Sequence, residues 1–511
     1  MALGIVLAAC GSQNGSGFAG AGGPAGGDQP DAETGGGSDE AGGGGFASDD
    51  GGGGGSIIGT SDGGLRGSKC ENLQCNVVSC AAQGKPETTL TGTIRDPAGN
   101  LPLYNVYVYV PNATPDPITP GNPTCSPCEA PASGNPIVGT TTDINGQFTL
   151  AQGTGTWGVP SGSNIPLVIQ VGKWRRQVVI PDVQPCTTVD LDTVLGPDQM
   201  RLPKMSSEGD MPLIALTTAG FDAFECFLRV VGVDDSEFVA PGSTTGHVQV
   251  YTGAYNSKNT PAATIAGGNT VQQTFQWWNS SANLLKYDFV LNGCDGVEAG
   301  SRGTGYTAMQ EYLDGGGRAF GTDFFVDWFS PPKAPSVDSM VADWPGWNNA
   351  TKYDSYYIDT SFPKGQAFGQ WLVANQVTEA SGTGDLPISL TDTWPDVNDS
   401  GPAKYPGSTR WIYNAENPGD SDYSTSYISF NTPIGNAPAQ QCGRAVFSGV
   451  HVFAPDQPSN RQLTFPAECG NEQGQASAYL VNQQALEFLF FDLSSCVQDE
   501  TQPPMQPPPV Q

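Results

Sequence analysis

The sequence predicts a multidomain chain in which a disordered tether precedes an all-β sandwich and then an α/β three-layer domain. Three observations carry this prediction. Residues 11–67 are mostly Gly, Ser, Ala and Asp, too poor in apolar side chains to offset the entropy of ordering them. Residues 68–200 hold short alternating segments separated by turn residues. Residues 210–496 alternate strand-like and helix-like runs, the pattern of a mostly parallel sheet covered on both faces.

Residues 1–10 open with a short apolar run, Ala2 to Ala9, ending at Cys10. Leu7-Ala8-Ala9-Cys10 resembles the lipobox of bacterial lipoproteins, in which an apolar residue and two small ones precede the cysteine that is diacylated. The resemblance implies export, lipidation of Cys10 and anchorage to a membrane. The outer membrane is expected, on its periplasmic or cell-surface side. No Lys or Arg precedes the apolar run, although a secretory signal normally starts with a positive region, so a longer natural signal is expected. No other stretch is long and apolar enough to span a bilayer. The Pro-rich residues 497–511 are expected to form a disordered tail.

A net charge of -30 excludes nucleic acid as a partner, since a polyanion would be repelled. The twelve cysteines suit an oxidising compartment, and setting Cys10 aside leaves an odd number, so at least one thiol is free or paired with another molecule. Cys70, Cys75 and Cys80 cluster before the first strand, and Cys125 and Cys128 form a lone C-x-x-C. A zinc site would want a second such pair or nearby histidines, and the two histidines, His247 and His451, are distant. Disulfides are therefore expected rather than a metal, and no cofactor.

In the first domain Thr88 to Asp96 alternates as a strand, closed by the Asp96-Pro97-Ala98-Gly99-Asn100 turn. Tyr104 to Val110 places Val106, Val108 and Val110 on one face and Tyr107 and Tyr109 on the other, which predicts a half-buried strand. Thr142 to Leu150 is a turn and a strand, with Leu167 to Val171 and Gln177 to Ile180 beyond. The stretches TLTGTIRDPAGNLPLYNVYVYVPN and GTTTDINGQFTL resemble the carboxypeptidase-regulatory-like, or transthyretin-like, sandwich. Asp143-x-x-Gly146-x-Phe148 carries the resemblance, which implies a spacer or interaction module. An insertion over roughly 112–135 departs from the plain pattern. Asp143 and Asn145 lack the further carboxylates of a calcium loop, so an ordinary turn is expected. Trp174-Arg175-Arg176 reads as a solvated strand end.

In the second domain Pro212 to Thr218, His247 to Thr252, Asp288 to Asn292, Arg318 to Asp323 and Arg444 to Val452 read as strands. Phe221 to Val231, Thr304 to Leu313 and Ser477 to Leu493 read as helices, the last with Ser477 as N-cap. YDFVLNGCDG, YLDGGGRAFGTDFF and CGRAVFSGVHVF, in this order, resemble the class I glutamine-amidotransferase-like fold and its divergent sugar-associated branch. The resemblance implies a nucleophile elbow after the Arg318 strand and a histidine after the Arg444 strand.

Carried over residue by residue, the nucleophile falls on Asp323 and the base on His451, so the family's usual chemistry is not expected. An elbow wants Cys or Ser with small neighbours, and Phe325 stands where a small residue belongs. Val452-Phe453 stand where an orienting carboxylate would. Cys294 lies on the wrong strand for the family and reads as a disulfide or core cysteine. A repurposed Asp323/His451 pair, the Asp as nucleophile or base and the His as acid, stays open. The insertion over 325–440 collects Trp328, Trp344, Trp347, Trp371, Trp394 and Trp411. Aromatic faces edged with polar groups suit glycans, with Trp344, Trp347 and Trp411 as candidate ligand-binding residues, or the rings form a satellite core. Asp392, Asp396 and Asp399 form a loose acidic loop.

The expectation is a lipid-anchored envelope protein, non-enzymatic, that binds envelope carbohydrate or an envelope protein. The alternatives are a hydrolase using Asp323 and His451, or a structural component of the envelope.

Overall fold

The computed structural model describes residues 70–125, 128, 131–155, 157–219, 222–253, 265, 272–273, 277–294, 303–329, 338–345, 349–380, 384–395, 397–401, 403–452, 465–469 and 472–507. Cys10, the 11–67 segment and Trp347 lie outside them. An all-β region comes first and an α/β region follows, and Ser68–Gln511 forms one compact unit.

The β region contains β1 (Thr89–Thr93), β2 (Tyr107–Pro111), β3 (Pro136–Thr141), β4 (Gln147–Leu150), β5 (Gly162–Val171), β6 (Trp174–Val183), β7 (Thr188–Asp190) and β8 (Gly209–Asp210). They form a three-stranded sheet, β4-β1-β7, and a five-stranded sheet, β3-β2-β5-β6-β8. Leu90, Phe148 and Leu150 of the first sheet share a core with Val108, Val110, Ile165, Leu167 and Ile169 of the second. At the Asp143 turn, the Asp143 carboxylate accepts N–H bonds from Asn145 and Gln147 at 2.8 and 2.9 Å, and Gly146 takes φ +70. This is the turn role expected of Asp143.

Two expectations for this region are corrected. Strand β2 is buried on both faces, because the 112–135 insertion covers its outer side: Tyr109 donates to the Ser133 carbonyl, and Ala132 packs on Tyr107 and Tyr109. Trp174 and Arg175 are buried rather than solvated. The indole packs against Phe490 and Phe491, and the guanidinium pairs with Asp210 at 2.8 Å.

The α/β region contains β9 (Ile214–Thr218), α1 (Phe224–Val231), β10 (Phe238–Val239), β11 (Val248–Thr252), β12 (Gln272–Gln273), α2 (Ser281–Leu284), β13 (Phe289–Asn292), α3 (Gly305–Asp314) and β14 (Arg318–Thr322). There follow α4 (Asp338–Val341), β15 (Ser355–Ile358), α5 (Pro363–Ala374), β16 (Leu386–Ile388), β17 (Thr409–Ala415), β18 (Tyr423–Thr432), β19 (Gly443–Ser448) and α6 (Glu472–Ser494). Among the described residues one sheet runs β10-β11-β9-β13-β14-β19-β18-β17-β15-β16, with β12 beside β11. Its β10-to-β19 half is parallel. The other half, supplied wholly by the insertion, is antiparallel. Helix α6 starts at Glu472, so Ser477 lies inside it and is not its cap.

The two regions share a continuous core. Phe488 of α6 stacks on Tyr104, with ring centroids 5.8 Å apart, and the Trp371 indole donates to the Pro102 carbonyl at 2.7 Å. The 112–135 insertion acts as a strap: Cys125 is bonded to Cys442 and Cys128 to Cys496. Near that strap Arg444 and Lys364 are buried against Asp492 and Glu500. Glu500 and Gln498 are therefore part of the packed unit, against the expected loose tail, and Gln498 accepts the Met505 N–H at 2.9 Å.

Two of the three tryptophans expected to bind sugar, Trp344 and Trp411, are corrected; the third, Trp347, lies outside the described residues. Trp411 is fully buried, bonded to Ser429 and edged by Phe362 and Phe368, so no ring face is left for a ligand. Trp344 is buried against Phe329 and Phe447. Trp328 and Trp371 are buried too, while Trp394 is half-buried. No helix among the described residues is long and apolar enough to cross a membrane.

Candidate active site

Parallel strands that lie side by side deliver the residues after their carboxyl ends to one edge of the sheet, where open α/β folds bind ligands. Here β9, β13, β14 and β19 are consecutive neighbours, and Asp222, Cys294, Asp323 and His451 follow their carboxyl ends. Because Asn292 is in register with Gly321, the next residues on, Cys294 and Asp323, emerge side by side.

The turn out of β14 is sharp. Asp323 takes φ +42, a left-handed conformation uncommon for a residue with a Cβ, and a 3-10 helix, Asp323–Trp328, follows at once. That helix folds back over Gly321, where an added Cβ would lie 2.9 Å from the Phe325 Cβ. Phe325 itself is buried against Trp278. Its bulk is thus absorbed by the core, and the sharp turn forms without the small neighbour that the family pattern calls for.

The structure brings Asp323 and His451 together: His451 Nε2 lies 3.4 Å from Asp323 Oδ2. The Cys294 thiol donates to the same oxygen at 2.9 Å. All three side chains are buried. The other ring nitrogen, Nδ1, lies 3.0 Å from Asp392 Oδ2, which also accepts from the Tyr479 hydroxyl at 3.1 Å. Asp222 braces the strand ends, accepting from the Thr322 hydroxyl at 2.5 Å and the Val452 N–H at 2.8 Å, while Thr322 Oγ1 accepts the Cys294 N–H at 2.9 Å. Asn482 of α6 donates to the His451 carbonyl at 2.6 Å and fixes the loop after β19.

Burial opposes a charged imidazole, but the carboxylates of Asp222, Asp323 and Asp392 outweigh it and hold His451 well above the usual histidine range. Asp392 is held low: burial pushes its carboxyl up, and the bond and charge of His451, with the bonds to Tyr479 and Trp394, together more than reverse that. Burial, reinforced by Asp323, pushes the Cys294 thiol far up, so it stays protonated. A protonated thiol is a poor nucleophile. The arrangement instead supplies a carboxylate and an imidazolium in contact, oriented by a second carboxylate, as acid–base catalysis needs.

Two members of this site carry other readings in the sequence. Cys294 is not in a disulfide; it is a buried core cysteine, as one of its two readings expects, the one free cysteine among the described residues, and it lies against Asp323. The orienting carboxylate comes from Asp392 in the insertion rather than from the chain after His451. Asp392 therefore does not belong to an acidic ion loop with Asp399, which instead accepts from Tyr423 and pairs with Lys404; Asp396 lies outside the described residues. Adjacency of the strands is the signal that finds Cys294, and nothing in the sequence finds Asp392. Trp344 and Trp411 stay in the core, apart from this site.

No protein-family model matches the chain, and no curated protein matches it. Among solved structures, a cytoplasmic protein from Salmonella typhimurium is similar over 56% of this chain and 99% of its own length, at 10% identity and a TM-score of 0.24. A thua-like protein from Bacteroides uniformis is similar over 54% of this chain and 89% of its own, at 8% identity and a TM-score of 0.26. At these scores the likenesses define neither a family nor an activity, and the site stands on its own atoms.

Proposed function

We propose that the chain is a lipid-anchored, exported hydrolase whose reaction centre is the Asp323–His451 pair, carried on an amidotransferase-like α/β domain behind a carboxypeptidase-regulatory-like sandwich. The observation that carries the reading is the 3.4 Å contact between His451 Nε2 and Asp323 Oδ2 at the carboxyl edge of the parallel strands, with Asp392 behind the imidazole. Asp323 takes the proton of an attacking water or attacks directly, and the imidazolium of His451 protonates the leaving group. Five disulfides among the described residues support an oxidising compartment outside the cytoplasm.

The test is turnover of chromogenic ester, amide and glycoside substrates by the full chain, beside His451→Ala and Asp323→Asn. The reading expects one substrate class to be hydrolysed and either substitution to cost about 100-fold or more. Turnover unaffected by both substitutions would remove the pair from the chemistry.

Recognition without turnover is favoured by a different feature. A groove of about 580 Å³ is lined by the buried Gln249, Tyr251, Trp277 and Tyr287 and by the more exposed Asn283 and Lys286, whose hydrogen-bonding groups suit sugar hydroxyls. Saturable polysaccharide binding lost in Asn283→Ala but kept in His451→Ala would assign recognition to this groove.

A further inference from the structure

The Asp323–His451 centre contains a third side chain that an acid–base pair does not use. Cys294 Sγ, a carboxylate oxygen of Asp323 and a ring nitrogen of His451 lie within 4.8 Å of one another, all buried. A zinc ion binds N, O and S ligands at about 2.0–2.3 Å in a tetrahedron, which sets its ligand atoms roughly 3–4 Å apart. The Nε2 to Oδ2 separation of 3.4 Å matches that spacing, the Sγ to Oδ2 separation of 2.9 Å is shorter, and Sγ and Nε2 lie within 4.8 Å, so a small shift of the Cys294 side chain completes the arrangement.

Two independent features point the same way. Metal-bound histidines characteristically offer their second ring nitrogen to a carboxylate, which fixes the ring. Asp392 stands at Nδ1 of His451, and Nε2 is turned toward Asp323 and Cys294. Charge supplies the second. Asp222, Asp323 and Asp392 gather around a single imidazole at a buried site, a surplus of negative groups that a divalent cation neutralises. Asp222 is tied to Thr322 and the Val452 N–H, so it braces the site and leaves three ligands.

We propose that Cys294, Asp323 and His451 form a mononuclear site for a thiophilic divalent transition-metal ion, zinc by its ligand set, with a fourth position open to water or substrate. The thiolate ligand selects against magnesium and calcium, which take oxygen. On binding, the S–H bond of Cys294 and the Nε2–H bond of the His451 imidazolium are replaced by metal–sulfur and metal–nitrogen bonds, and both protons leave to solvent. The proposal deepens the hydrolase reading, on which it rests for its chemistry: with the ion bound, Asp323 and His451 would serve as its ligands and the ion would activate water, in place of their metal-free acid–base roles; the coordination itself rests on geometry.

The test uses the full chain carrying Cys10→Ser, which prevents lipidation, purified with its disulfides formed and dialysed against a chelator. Zinc is titrated in competition with a chromophoric chelator, and cobalt(II) is titrated while sulfur-to-cobalt charge-transfer absorption is followed. One ion per chain and a charge-transfer band lost in Cys294→Ser are expected. Asp392→Asn keeps the stoichiometry and binds zinc about 10–100-fold more weakly, which serves as the readout if Cys294→Ser fails to fold. No zinc bound by the folded chain, or a cobalt–sulfur band that persists in Cys294→Ser, overturns the site. Zinc bound as expected with no substrate turned over upholds the site and removes the hydrolase. Turnover that survives chelation upholds the hydrolase and overturns the ion's part in its chemistry.

Discussion

Asp392 holds His451 at two points: its carboxylate faces the ring Nδ1 at 3.0 Å, and its main-chain carbonyl accepts the His451 N–H at 3.1 Å. A residue of the insertion thereby fixes both the position and the rotation of an imidazole that follows a core strand. The charge that this arrangement favours makes stability depend on pH. His451 is raised well above the usual ~6.5, so its contribution is complete below that pH and is lost as pH rises through the folded value. Urea midpoints measured from pH 6 to pH 10 with chelator present should fall on the alkaline side. The fall should be smaller in His451→Gln; equal slopes in the two proteins would contradict it.

A second pH effect has the opposite charge type. Glu225 and Glu468 are buried and hydrogen-bonded to each other, brought together by the adjoining Cys226–Cys469 disulfide. Burial pushes Glu225 up to about 7 from the usual 4.5, with the Thr218 hydroxyl opposing. The native state then keeps a proton that the unfolded chain releases, so this carboxyl costs stability progressively as pH rises from about 4.5 to about 7. Glu225→Gln should flatten that window in denaturation curves. An unchanged slope would show that the carboxyl ionises without penalty.

The strap makes a prediction about assembly of the unit. Cys125–Cys442 and Cys128–Cys496 join the β region to the far part of the chain, at sequence separations of 317 and 368. Replacing either pair with serines should lower stability by about 2–5 kcal/mol, read from guanidinium midpoints. Turnover should persist, because Cys442 precedes β19 whereas the reaction centre follows its carboxyl end. Loss of activity in a folded variant would couple the strap to the site.

Much of the parallel half is legible in the sequence. Strands β9, β11, β13 and β14 are short apolar runs bounded by turns, and α3 shows helical spacing closed by glycines. Asp323 and His451 are legible through the resemblance to the amidotransferase-like fold, which assigns them to the ends of the Arg318 and Arg444 strands. The antiparallel half is not. Tyr423–Thr432 is rich in Ser, Thr and Asn, yet it is almost wholly buried, several of its polar groups being paired inside the sheet, as where Trp411 donates to Ser429 and Asn431 to the Gln498 carbonyl. Periodicity of apolar residues cannot reveal such a strand. Asp392 and the partners of the strap cysteines depend on contacts between distant parts of the chain, which no local pattern encodes.

The tryptophans test the corrected reading of the insertion. Trp411 fills the core between Phe362, Phe368 and Phe488. Trp411→Ala should destabilise the chain by about 3–5 kcal/mol, seen as a lower denaturation midpoint. Any polysaccharide binding by the folded protein should keep its affinity. A selective loss of binding at unchanged stability would return this ring to the ligand-facing role.

The most direct measurement is the hydrolysis rate of the full chain beside Asp323→Asn, with folding of both confirmed by circular dichroism. Asn keeps the shape of the side chain and removes the carboxylate that faces His451 Nε2 and accepts the Cys294 thiol. A reaction centre at this pair predicts measurable turnover that falls about 100-fold or more in a folded variant. Equal rates in the two proteins would contradict it.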